Sequence, residues 1–186
     1  MSFSETTLTD CASLLIPEPF ASRLPLCDIM GQRLGYGRCG YVHECVIGGG
    51  LSALRLVDPN NERDGKQLTE AIFRESEAYG KLSELQSGAI PLLVLAATDY
   101  LGMLLLATEL CSEGVCQTFG EGEKRLALDS LRLIHSMGYI HGDIRKENVV
   151  FHVKDGVRKA FWIDLETCQL GLAGQFESEV RLVLHL

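Results

Sequence analysis

The stretch His141-Gly142-Asp143-Ile144-Arg145-Lys146-Glu147-Asn148, with Asp164 beyond it, constrains this chain more than any other feature. It offers a carboxylate, an amide five residues later and a second carboxylate sixteen further on. Two apolar runs, Val149 to Val153 and Val157 to Ile163, separate Asn148 from Asp164, and Asp155-Gly156 divides them. Asp-Gly between strand-like runs signals a tight hairpin turn that needs positive φ. A hairpin returns on itself, so Asn148 and Asp164 are predicted to finish near each other at its open end. Two oxygen-bearing side chains so placed suit a hard cation such as Mg²⁺. Asp143 is then free to orient or deprotonate a hydroxyl.

Upstream, Leu34-Gly35-Tyr36-Gly37-Arg38-Cys39-Gly40-Tyr41-Val42 contains G-x-G-x-x-G, a weak motif whose context must decide. A dinucleotide site needs a helix after the last glycine. Here Tyr41 to Ile47 alternates as a strand, Gly48-Gly49-Gly50 turns, and Leu51 to Val57 is strand-like again. Strand, glycine loop, strand describes either a phosphate-covering flap or an ordinary Gly-rich hairpin. After a turn at Asp58 to Glu62, a helix carries Ile72, Ser76, Tyr79 and Leu82 at helical spacing. Glu75 on that helix either faces the preceding strand or joins Arg74 and Glu77 on a solvated face. Leu92 to Thr98 and Met103 to Thr108 read as two more strands.

Gly114 to Gly122 reads as a flexible connection into a helix from about Glu123, with Leu126, Leu131, Ile134 and Met137 as its apolar stripe. Gly138 is placed to end it. His135 and His141 are expected to brace the structure rather than to move protons. Ser178 to Leu186 is expected to form one short helix with Val180, Val183 and Leu184 on one side.

A formal charge of −8 disfavours a nucleic-acid surface, which needs accumulated Lys and Arg. The 186 residues, 46% of them hydrophobic, suit about one globular domain. Seven cysteines without a C-x-x-C pair point to reduced thiols in a cytosolic or nuclear compartment. Cys39, His43 and Cys45 lie close together, but no second ligand pair has zinc-like spacing. The most apolar window, Ile90 to Thr108, is broken by Pro91, Asp99 and Gly102, so no membrane span is expected. Residues 1–28, Ser/Thr-rich and then carrying Pro17, Pro19 and Pro25, read as an arm without assignable chemistry.

The H-G-D-x-x-x-x-N stretch followed by Asp164 resembles the protein-kinase catalytic loop, H-R-D-x-x-x-x-N, and the metal-binding Asp of D-F-G. The resemblance implies a kinase-like α+β fold. Residues 29–108 would form an antiparallel N-lobe sheet with one helix, and residues 109–186 a hinge and an abbreviated helical C-lobe. ATP would sit between the lobes, contacted by Gly35, Gly37, Gly40, Val42 and Ala53. Arg55 would steady its phosphates in partnership with Glu75. Thr108 would be the gatekeeper, and Glu109-Leu110-Cys111 the hinge that meets the adenine. Asp143 would orient the acceptor, Arg145 would meet the γ-phosphate, and Asn148 and Asp164 would hold Mg²⁺.

Four departures accompany the resemblance. Gly142 stands for the usual Arg, a form also seen in small-molecule kinases, and Leu165-Glu166 for Phe-Gly. Arg55 stands for Lys, and no A-P-E follows. The implied activity is transfer of the ATP γ-phosphate to a Ser/Thr hydroxyl. A pseudokinase scaffold and a small-molecule kinase are the alternatives. A short C-lobe also implies apolar surface for a protein partner, or for the rest of a longer chain, to cover.

Overall fold

Period-two alternation and local turn chemistry lay down most of the first half. The computed structural model describes residues 23–24, 30–37, 40–99, 101–115 and 119–186. Strands β1 (Arg23–Leu24), β2 (Met30–Gly37), β3 (Gly40–Ile47), β4 (Gly50–Val57), β5 (Leu93–Asp99) and β6 (Leu104–Glu109) form one sheet in the order β1-β5-β6-β4-β3-β2. The last five are antiparallel neighbours, as expected. Strand β1 adds a parallel edge, Arg23 opposite Thr98, drawn from the segment read as an arm. Asp99 enters the apolar window as a turn residue. Its buried carboxylate accepts hydrogen bonds from the Leu101 and Met103 amides at 2.8 and 2.7 Å.

Helix α1 (Gly65–Lys81) buries Ile72, Ser76 and Tyr79, and Leu82 continues that face just beyond its end. Ile72 packs against Val57, Leu104 and Leu106 on one face of the sheet.

The second half is built on α2 (Glu121–Ser136), the hairpin of β9 (Val149–Lys154) and β10 (Val157–Trp162), and α3 (Gln175–Leu184). Asp155 and Gly156 take φ of 53° and 74°, the double positive-φ turn that Asp-Gly favours. Leu131, Ile134, Phe151 and Trp162 are fully buried and share one core with Tyr79 and Leu82. Burial of each such aliphatic or Phe side chain contributes about 1.5–3 kcal/mol. That shared core joins the hairpin and α2 to α1. The chain is thus α+β.

Three local expectations are corrected. Gly114 to Gly122 is not wholly loop, because β7 (Gly114–Val115) pairs with Phe151 and Val150 of β9. Helix α2 begins at Glu121, and Glu123 serves its first turn by accepting the Gly120 amide at 3.2 Å. In α3, Val183 is buried but Leu184, rotated about 100° further round the helix, is half exposed. Beyond these, β8 (Tyr139–Ile140) pairs with β11 (Gln169–Leu170). Among the described residues no helix is long and apolar enough to cross a membrane.

Candidate functional site

Antiparallel registry places Val42, Arg55 and Leu106 in one row, and Glu44, Ala53 and Thr108 in the next, all on the α1 side of the sheet. A cleft of about 490 Å³ opens between that face and the hairpin. Gly35, Val42, Ala53, Arg55, Glu75, Thr108, Glu109, Cys111 and Asp164 all line it. Gly37 and Gly40 pair with each other at the β2–β3 end, and the Arg38-Cys39 tip lies outside the described residues. Asp143, Arg145 and Asn148 stand beside the cleft and not in its wall. The Cys39–His43–Cys45 question falls partly outside the described residues, among which no cluster of three or more metal-type ligands occurs.

Helix α1 carries Glu75 to the cleft floor, where its carboxylate and the Arg55 guanidinium form a close ion pair. The same guanidinium nitrogen lies 3.4 Å from Asp164 Oδ1. Three segments, β4, α1 and the end of the hairpin, therefore meet through one arginine. Glu75 is 3% exposed, and burial raises its carboxyl to about 7 against the opposing pull of Arg55. Burial likewise pushes the Cys111 thiol up to about 12, so it stays protonated and is no nucleophile.

Asp164 takes φ 63°, in the left-handed region that Asp tolerates better than most residues. Its second oxygen lies 3.7 Å from Arg145, which also pairs with Asp143 at 2.9 Å. Asn148 Nδ2 donates to the Asp143 main-chain carbonyl at 2.9 Å and to its carboxylate at 3.0 Å. With the amide nitrogen so committed, Asn148 Oδ1 is its remaining acceptor. The hairpin keeps Asn148 and Asp164 together, since Ile163 N donates to Asn148 O at 2.9 Å. Two protein oxygens suit Mg²⁺, which is held by one or two side chains plus phosphate oxygens and water rather than by an all-protein cage.

The loop before Asp143 is held by residues that sequence reasoning passed over. Glu179 of α3 is buried, and its two oxygens accept the His141 and Gly142 amides at 3.1 and 2.6 Å. His135 Nε2 lies 2.8 Å from the same carboxylate. One signal was legible: Glu179 stands four residues before Val183, on the buried stripe of its helix. Fully buried His141 is neutral, its pKa lowered by desolvation. Its Nε2–H donates to the Ile163 carbonyl at 3.0 Å, and its Nδ1 accepts the Asp143 amide at 3.3 Å. His141 thus braces the loop against the hairpin and has no role as a base.

Gly142 has a structural reason to be glycine. Its φ is 84°, and a Cβ there would meet the Thr167 carbonyl oxygen at 2.5 Å. Gly142→Arg, which writes the commoner H-R-D, should therefore destabilise the fold by at least about 2 kcal/mol. A urea unfolding midpoint unchanged from wild type would refute this.

Comparison of the chain with protein-family models returned no match, and comparison with curated proteins returned none either.

Proposed function

We propose that the chain is a kinase-like phosphotransferase that moves the γ-phosphoryl group of ATP to a hydroxyl, in the first instance a protein Ser or Thr. The observation that carries this reading is the convergence on one cleft of Arg55, Glu75 and Asp164, with Asp143 and Asn148 beside it. A site of this kind needs positioning and charge neutralisation more than covalent chemistry. Thr108, Glu109 and Cys111, on β6 and just past it, would border the base, and Gly35 and Val42 would cover the phosphates. Arg55 would meet the α/β-phosphates, held in place by Glu75. Asp143, steadied by Asn148, would accept the hydroxyl proton. Arg145 would leave Asp143 to meet the γ-phosphate.

Mg²⁺, held by Asn148 Oδ1 and Asp164, would supply neutralisation of phosphate charge. ATP affinity should accordingly fall at least about tenfold in EDTA, and Asp164→Ala should lose that metal dependence. Calorimetry giving equal affinity with and without Mg²⁺ for both proteins would sink the proposal.

A nucleotide-binding scaffold is the second reading, favoured by an arginine where this chemistry ordinarily uses lysine. ATP binding without transfer to any protein, small-molecule or water acceptor would establish it.

A further inference from the structure

Helix α1 carries a second polar group to the cleft, one turn beyond Glu75. Tyr79, on the same helix face, is 1% exposed and shares the core of Leu82 and Trp162. It also lines the cleft, together with Leu106 and Thr108 of β6. Its hydroxyl has no hydrogen-bond partner among the described residues; Gln86 Nε2 reaches only the Tyr79 main-chain carbonyl, at 3.1 Å. Nor is the hydroxyl sealed in the core. Among the described residues, the side-chain atoms that lack both a partner and contact with solvent belong to His43, Thr69 and Arg145. The phenol oxygen therefore opens on the cleft. Glu75, Arg55, Cys111 and Asp164 act on it electrostatically, and all four line that cleft. Burial first, and then Glu75, raise its pKa well above the usual phenol value, so it stays a neutral hydroxyl that can both donate and accept.

We infer that Tyr79 is a specificity-determining residue of the nucleotide site, its hydroxyl hydrogen-bonding the polar edge of the purine that carries N7 and the 6-amino group of adenine. The inference rests on the phosphotransferase reading, in which Thr108, Glu109 and Cys111 border the base and Arg55 meets the phosphates. Members of both sets, Cys111 and Arg55, act on the Tyr79 hydroxyl. A hydroxyl matches either atom of that edge, since it donates to N7 and accepts from the amino group. Phenylalanine would fill the core as well, because the hydroxyl bonds to nothing there. A nearly buried hydroxyl without a partner weakens a fold, and a ligand that supplies the partner recovers that loss on binding.

Calorimetry of the full chain with Mg²⁺ and nucleotide, beside urea unfolding without nucleotide, tests this independently of turnover. Tyr79→Phe should weaken ATP binding at least about fivefold, while its urea midpoint stays at or above that of the wild type. The loss should shrink or vanish for the analogue that lacks the bonded atom, purine riboside triphosphate for the 6-amino group or 7-deaza-ATP for N7. Either result supports the inference and names the atom. A Tyr79→Phe penalty of equal size for ATP and both analogues would overturn it. A urea midpoint below the wild type's would overturn it too, because the hydroxyl would then serve the fold. A wild type that binds no nucleotide removes the phosphotransferase reading, and this inference with it. ATP binding that Tyr79→Phe leaves unchanged removes this inference alone.

Discussion

Glu179→Ala is expected to destabilise the fold by about 3–5 kcal/mol and to abolish any transfer activity, although Glu179 lies outside the cleft wall. Its carboxylate accepts two backbone amides of the loop that leads into Asp143, at 3.1 and 2.6 Å, and meets His135 at 2.8 Å. Removing it leaves the buried His141 amide without a partner, at a cost of about 1–3 kcal/mol, and takes the acceptor from the part-buried Gly142 amide and from His135. It also frees Gly142 from the positive φ that turns the chain toward Asp143. Misplacement of a reacting group by about 1 Å can reduce a rate on the order of a hundredfold. Glu179→Gln, which keeps one carbonyl acceptor, should restore part of the stability. Chemical unfolding beside phosphate-transfer assays separates the two effects. A folded Glu179→Ala protein with wild-type turnover would refute the assignment.

Arg55→Lys should raise turnover by roughly a hundredfold with little change in ATP dissociation constant. Strand and hinge backbone and the metal ligands supply most of the proposed ground-state contacts, and none depends on Arg55. What changes is the shape of the cation, a broad planar fork replaced by a compact charge that sets the angle of the phosphates differently. If Arg55→Lys lowers turnover instead, the site is built around the guanidinium. Asp143→Ala should abolish transfer in either background.

The same pair predicts a pH profile. Glu75 must be ionised to hold Arg55, so turnover should rise as pH passes through about 7. Stability runs the other way for this group. Folding raises its pKa, so its contribution is complete below the unfolded value near 4.5 and is lost as pH rises through about 7. Neutral His141 opposes that trend: its lowered pKa makes its contribution complete above the unfolded value near 6.5 and lost as pH falls below it. Glu75→Gln should remove the rise in turnover near pH 7, while His141→Gln should leave its midpoint in place.

Features set by local chemistry were legible in the sequence. Asp155-Gly156 determined the hairpin because only a few dipeptides accept its turn. That turn and the strand lengths brought Asn148 and Asp164 together. The helical spacing of Ile72, Ser76, Tyr79 and Leu82 determined the buried side of α1, while whether Glu75 faced the strand or a solvated side was decided by the tertiary structure, which pairs it with Arg55. Tertiary structure alone decided the rest. A glutamate reads as a surface residue until its donors are known, and the donors of Glu179 lie 37, 38 and 44 residues away. The two-residue strands β7, β8 and β11 are too short to carry a period, so only their partners create them. Gly142 looked like a missing arginine, but the Thr167 carbonyl stands where its side chain would begin.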